Sequence, residues 1–498
     1  MSDGSAVRYG PPASWAHIGG GALFLGLAGD FAHRIGEPIH LINRTGQEFL
    51  KRAADQGYNL VAVDADGGTE VKMIRSIKDV TFLEDGPGQA LDWLSSAQLW
   101  SLSITSDAYP KNRAGNLDVD RATAAGNEVV ECLASDQPKT VVGLLSKALA
   151  ERFQQQGRAP VTILPLENGD ECNGDMLRRL LVQYIEIKYP RSPELKAWVQ
   201  NAVTFCNAMV DRIVPKPGEK HIQDFARDAA GVDPSLVSVV TEKLPEVSLV
   251  FDNADWNPIL RAMTAVGAQS VKDCALMKRI KATIVNGAHN LVGVKGMSMG
   301  EDLVHLAVRR PGVETDLMGF LEEMQGTLRG IDLPDVFDLG RYCQGVIERL
   351  KLPFPGDQTS RVCRRPSAKV VPLIAAPLME LLAKGLPHHH LTVALAETVR
   401  HLVLADGPLA GKVVPDDKGR ETGLYGQPVE TYANAEECLQ LFEDAVPGFP
   451  TGLRQDRRFG NEFQQVLDDG DRFPEFAAAV RGLGRESAGL QLASPSLA

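Results

Sequence analysis

A change of pattern near residue 258 is what most limits the folds open to this chain of 498 residues. Upstream of it, short apolar runs at 14–18, 38–42, 59–63, 70–74, 99–104 and 161–165 alternate with stretches of helical spacing such as 140–155 and 175–188. Runs of that length bounded by Gly, Pro and Asp read as strands, and strands alternating with helices predict a parallel sheet with helices on its faces. Downstream, strand signals nearly vanish. Helical periodicity covers 272–293, 300–309, 314–328, 336–350, 368–384 and 390–404, with breakers such as Pro311, Gly330, Pro353 and Pro387 between them. The expected fold class is α/β: an N-terminal domain over 1–257 built on a mostly parallel sheet, then an all-α domain over 258–405. A partly helical extension over 406–498 follows, with helices expected at 434–445 and 473–483.

The first strand runs into Gly19-Gly-Gly-Ala-Leu-Phe-Leu-Gly26. A glycine turn between a strand and a helix lets backbone approach a pyrophosphate, which the helix N-terminus stabilises, so the N-terminal domain is expected to be Rossmann-like and to bind a dinucleotide. Gly19 and Gly21 fit the first two positions of Gly-x-Gly-x-x-Gly, while Phe24 stands at the third. A turn that only packs strand on helix is the alternative. The second strand ends at Asn43-Arg44-Thr45, where an NAD site usually has an acid on the ribose. Asn43 followed by Arg44 suits a 2'-phosphate, which favours NADP narrowly. NAD, with Asn43 on the ribose and Arg44 in solvent, is the other reading.

The formal charge of −12 leaves no general electrostatic footprint for nucleic acid or an anionic membrane, so neither is an expected partner. Seven scattered cysteines without a Cys-x2-Cys pair argue against a disulfide framework or structural zinc. With no secretory pattern in the first dozen residues and no apolar run of membrane-spanning length, a cytoplasmic monomer or small homo-oligomer is expected.

The segment 277–289 carries Lys281, Asn286 and His289 along one expected helix. A partly desolvated lysine can take a hydroxyl proton while an amide and an imidazole hold the oxygen as charge develops, which suits alcohol oxidation without a metal. An ordinary amphipathic helix is the bland alternative. Other segments bear on the choice. The Lys-x4-Asn-x2-His spacing stands in order with Glu167-Asn168, Asn173-Gly174, Phe205-Cys-Asn-Ala-Met-Val-Asp-Arg-Ile-Val-Pro215, Arg361-Val-Cys-Arg-Arg-Pro-Ser-Ala-Lys369 and Gly385-Leu-Pro-His388. Together, over about residues 15–405, these resemble the polyol-specific long-chain dehydrogenases, the family of mannitol dehydrogenases, mannitol-phosphate dehydrogenases and hexuronate reductases.

That resemblance implies an NAD(P)-dependent oxidoreductase interconverting a polyol and its ketose, with Lys281 as general base. Asn207 and Asn286 would polarise the oxygen and His289 would position the substrate. The Arg361 stretch is nearest the sugar-phosphate branch, so Arg361, Arg364, Arg365 and Lys369 are expected on the substrate. Arginine forks and a lysine charge suit phosphate or carboxylate, which favours a phosphorylated polyol over a free one or a uronate. Thr105-Ser-Asp-Ala-Tyr109 departs from the Thr-Glu-Lys-Gly-Tyr of the mannitol branch. A homologue that binds nucleotide or sugar without turnover is the reading of another class. Asp211 and Arg212 are expected to form a buried ion pair. His388-His389-His390 reads as a helix start, because consecutive helical residues cannot all face one ion.

Overall fold

The computed structural model describes residues 14–105, 108–112, 116–118, 140–155, 160–168, 172–403 and 434–469, except positions 65, 234, 244, 246, 254–255, 336, 364–368 and 447. The chain divides into two compact units, Met1–Arg279 and Ile280–Ala498.

The first unit is built on strands β1 (Trp15–Ile18), β2 (Ile39–Asn43), β5 (Ile77–Phe82), β6 (Leu99–Leu102), β7 (Thr162–Pro165) and β8 (Thr204–Phe205). They form one sheet in the order β5-β2-β1-β6-β7-β8, and every pairing is parallel. Counted along that sheet, the order is 3-2-1-4-5-6, the doubly wound Rossmann arrangement, in which ligands bind outside the strand ends where the winding reverses. Here the reversal lies between β1 and β6. Both faces are covered: Trp15, Phe24, Phe31 and Leu41 lie in the core on one side, and Trp100, Leu145, Leu149 and Leu177 in the core on the other. Strands buried on both faces explain why these runs read as continuously apolar.

β3 (Tyr58–Val63) and β4 (Thr69–Ile74), also expected as strands, do not join that sheet. With β10 (Ser238–Glu242) they make a three-stranded sheet in the order β10-β3-β4. A third small sheet holds β9 (Ala208–Val210) at its edge, in the order β12 (Gln269–Ser270), β11 (Leu249–Phe251), β9.

The second unit is helical. Helices run over Gly287–Ser298, Val313–Thr327, Leu339–Leu350, Ala376–Lys384 and His389–Val403, near the spans that the periodicity predicts. Ala435–Ala445 and Arg457–Leu467 belong to the same unit, and Phe459 is fully buried beside the His388 ring. The helix expected at 473–483 lies outside the described residues. No helix among the described residues is long and apolar enough to cross a membrane.

Candidate active site

The glycine turn closes over β1. Gly19 has φ +105°, and a Cβ there would stand 2.7 Å from the Ser103 carbonyl oxygen, so only glycine fits. Gly20 is less constrained, a Cβ there meeting only the end of the Leu50 side chain at 2.4 Å, and a Cβ at Gly21 would meet nothing within 4 Å. Helix follows from Ala22, earlier than the sequence suggests, and passes through a π-helical turn at Phe24–Ala28 before Gly29–Ile35. A π turn shifts hydrogen bonds and frees carbonyls. Tyr58 Oη donates to the Leu25 carbonyl at 2.7 Å, and Arg212 donates to that of Gly26. The close helix packing that a third glycine would allow is provided by Gly26, against Val214, and Gly29, against Tyr58.

Arg212 pairs with Asp30 at 2.9 Å, both side chains 1% exposed, and not with Asp211 as expected. Side chains of adjacent residues in extended backbone point to opposite sides, so Arg212 turns to Asp30. Burial would raise the Asp30 carboxyl, but the charges of Arg212 and Arg34 and their hydrogen bonds hold it below the usual range.

A buried chain of hydrogen bonds supports the turn from below. Trp15 Nε1 donates to Ser101 Oγ at 2.6 Å, and Ser101 Oγ lies 2.6 Å from His17 Nδ1. His17 Nε2 lies 2.9 Å from Ser103 Oγ, which donates to the Gly19 carbonyl at 2.8 Å. One neutral tautomer, with the proton on Nε2, satisfies every member. Burial pushes the His17 imidazole down to about 3, which keeps it neutral. Asn43 also serves the turn: its Oδ1 accepts from Gly20 N at 3.0 Å and its Nδ2 donates to the Thr45 carbonyl at 2.9 Å. Arg44 beside it is exposed.

The side-chain amides near β9 are fully engaged. Asn168 exchanges two hydrogen bonds with the Val210 backbone, at 2.7 and 3.0 Å, and Asn173 does the same with Ala208, at 3.1 and 2.9 Å. They complete β9 as a neighbouring strand would. Asn207, expected on the substrate oxygen, has no hydrogen-bonding capacity left over. Its Oδ1 accepts from Gly174 N and Asp175 N, at 2.9 and 3.2 Å, while Nδ2 donates to Asp252 at 3.0 Å and Asp175 at 3.1 Å. The side chain thus caps the helix Asn173–Lys188.

The expected catalytic helix starts at Cys274, where Asp273 Oδ1 accepts from Ala275 N at 2.9 Å. It runs to Lys281, passes through a π turn at Ala282–Asn286 and continues over Gly287–Ser298. Met277, Ile280, Ile284, Ala288 and Leu291 are its buried stripe. In an unbroken α-helix, eight residues overshoot two turns by about 80°, since each residue turns about 100°. The π turn takes up one residue, so Lys281 and His289 come close to two full turns apart. Lys281 and His289 are half-buried and Asn286 is exposed.

Two glycines farther along bring in the next partner. A Cβ at Gly293 would stand 2.6 Å from Val362, and one at Gly296 would stand 2.8 Å from Thr359. The short helix Thr359–Val362 therefore docks closely on Gly287–Ser298, and Asp357 just before it reaches His289 Nε2 at 2.7 Å. The same carboxylate accepts from Arg361 Nε at 2.7 Å. Lys369 Nζ donates to the Val362 carbonyl. Arg364 and Arg365 lie outside the described residues.

His388 is buried next to Thr392, and the helix starts at His389. A separate pocket of about 300 Å³ in the second unit is lined by Glu322, Glu323, Arg329, His389 and His390 among others. It contains none of the expected site residues, and size alone does not outweigh the chemistry of Lys281, Asn286 and His289. Sequence reasoning missed Asp357 and His17. The spacing of four from Asp357 to Arg361 was a signal for the first; a lone histidine within a strand gives none for the second.

Two family models match the chain: the mannitol dehydrogenase Rossmann domain over residues 15–239 and the mannitol dehydrogenase C-terminal domain over 275–440. The mannitol 2-dehydrogenase of Aspergillus terreus is 27% identical over 427 residues, which cover 84% of this chain and 80% of that one. A solved D-sorbitol dehydrogenase in substrate-free form superposes with a TM-score of 0.74 at 23% identity, covering 94% of both chains. Pseudomonas fluorescens mannitol 2-dehydrogenase, solved as a ternary complex with NAD and D-mannitol, gives 0.66 at 22% identity, over 95% of this chain and 94% of that one. Both solved structures share the fold described above.

Proposed function

The chain belongs to the mannitol dehydrogenase family, and on that premise we propose that it interconverts a free hexitol-type polyol and its ketose with NAD(H). The observation that carries this reading is the single accessible stripe holding Lys281, Asn286 and His289 on one helix. Lys281 Nζ takes the hydroxyl proton, the Asn286 amide donates to the oxygen as it gains charge, and His289 holds a neighbouring hydroxyl. A bound nicotinamide would supply the acceptor for the hydride that leaves the carbinol carbon. Gly19, Gly21 and the helix start at Ala22 fit its pyrophosphate, since Gly21 leaves the backbone uncovered. Asn207 is assigned to the frame, because both its amide hydrogens go to carboxylates.

A free polyol is preferred to a phosphorylated one for two reasons. The Arg361 guanidinium is already compensated by Asp357, and Lys369 gives one of its N–H groups to a backbone carbonyl. The relatives that cover most of the chain are mannitol 2-dehydrogenases. NAD is preferred to NADP by analogy with the Pseudomonas fluorescens complex, and a cytoplasmic setting remains part of the proposal.

The test is turnover of D-mannitol, D-sorbitol and their phosphates with NAD and with NADP, followed at 340 nm. Lys281→Ala should lower kcat by about 10²- to 10⁴-fold with circular dichroism unchanged. Persistence of turnover in that variant removes Lys281 as the base, and absence of turnover in the parent with every substrate favours a non-catalytic homologue.

A further inference from the structure

Asp357 is placed by backbone before its side chain is considered. Its carbonyl accepts from Val304 N at 2.9 Å, and Thr359 N donates to the Asp302 carbonyl at 3.0 Å, which ties the segment to the loop ahead of the helix Val304–Ala307. The Asp357 side chain is 19% exposed, against 57% for Arg361 and 25% for His289. Its two oxygens divide their work. Oδ2 takes His289 Nε2 at 2.7 Å, and Oδ1 takes both Nε and Nη2 of Arg361, at 2.7 and 2.5 Å. Burial would raise this carboxyl, but the His289 hydrogen bond and charge, with the Arg361 charge, hold it below the usual range.

We propose that Asp357 is a positioning residue that fixes the His289 tautomer and compensates Arg361, so that the site takes a neutral hydroxyl chain in preference to a phosphate ester. The inference rests on the polyol dehydrogenase reading. An imidazole giving its Nε2 proton to Asp357 keeps Nδ1 for the substrate, as acceptor when neutral and donor when charged. An arginine with two N–H groups on a carboxylate has only its remaining donors to offer, and its charge is already met. A hydroxyl needs a donor or acceptor and no net charge; a phosphate needs the charge that Asp357 cancels.

Asp357→Asn keeps the shape and removes the charge. For the parent and the variant, one would measure kcat and KM for D-mannitol, the Kd of NADH by fluorescence, and inhibition by D-mannitol 1-phosphate. KM for the polyol should rise about 10- to 100-fold, in line with loss of charge-assisted hydrogen bonds, with the NADH Kd unchanged. Inhibition by the phosphate should strengthen several-fold. Opposite movement of the two ligands is what a merely structural role would not produce; an unchanged KM, or both ligands weakening together, overturns the proposal. Should the parent oxidise no polyol, the dehydrogenase reading fails first, and calorimetry with inorganic phosphate still decides on Asp357. Binding gained in Asp357→Asn and lost again in the double variant with Arg361→Ala supports the compensation, and no gain ends it.

Discussion

His17 in the first unit and His289 in the second are the same side chain in opposite conditions. Both nitrogens of His17 are consumed by serine hydroxyls in a site with no exposure, and burial keeps the ring neutral. One nitrogen of His289 rests on a half-buried carboxylate and a quarter of the side chain is open to solvent. Asn207 and Asn286 repeat the contrast, the first saturated by backbone and carboxylates, the second exposed. A polar group whose hydrogen-bonding capacity is spent internally can hold a turn but has nothing left for a substrate. Residue type alone did not separate frame from chemistry; saturation does.

The sharpest break would come from the two asparagines. Asn286→Ala should lower kcat by about 10²- to 10³-fold, the loss found when one donor to a developing oxyanion is removed, while the melting temperature stays near that of the parent. Asn207→Ala should do the reverse. It strands the N–H of Asp175, leaves that of Gly174 with Asn173 Oδ1 alone and takes the amide donor from Asp252 Oδ2, for about 1–3 kcal/mol of stability, with kcat of the folded enzyme close to normal. If Asn207→Ala instead stays stable and loses kcat, the amide reaches the substrate after all and the contrast collapses. Denaturant midpoints and initial rates on the same preparations decide it.

A smaller effect should appear with pH. The folded value of His17 is about 3 and the ordinary value 6.5, so the stability it contributes is complete above 6.5 and is lost as pH falls towards the folded value. Between pH 6.5 and 5 the loss is about 2 kcal/mol. Glu323 in the second unit has the opposite sign. Burial raises its carboxyl, outweighing its bonds from His390 N and Leu391 N, so the stability linked to it is greatest below its unfolded value and falls as pH rises through the folded one. Hydrogen exchange at pH 5 should therefore show β1 and β6 losing protection before the start of the helix His389–Val403. Equal loss in both regions would break the comparison, and His17→Asn should flatten the slope in the first.

Much of this frame was legible because burial leaves a periodic trace. The continuous runs of β1, β2, β6 and β7 predicted the parallel sheet, and the helical spacing at 314–328, 336–350, 368–384 and 390–404 predicted helices of the second unit, which begins at Ile280. β5, Ile-Lys-Asp-Val-Thr-Phe, was missed, since an edge strand paired only with β2 carries charges on its exposed side. The π turns at Phe24–Ala28 and Ala282–Asn286 left no signal. At the first of them the freed carbonyls are met by Tyr58 and Arg212, residues distant in sequence. Lys281, Asn286 and His289 stood out through spacing. The partner that orients His289 did not, because Asp357 meets it only after Gly293 and Gly296 admit the short helix.

The smallest expected effect concerns Arg44, where the frame ends and the ligand begins. Asn43 is held by the glycine turn and cannot turn towards a ribose without releasing Gly20. Arg44 is exposed next to it, and an exposed charge contributes only about 0.2–1 kcal/mol to a charged partner in water. If it meets a 2'-phosphate, Arg44→Ser should raise KM for NADP by up to about fivefold and leave KM for NAD alone. Asn43→Ala should weaken both cofactors together, because it loosens the turn that both would use. A shift in NAD with Arg44→Ser, or selective loss of NADP with Asn43→Ala, would exchange their roles: the saturated amide would be the reader of the cofactor and the exposed arginine a bystander.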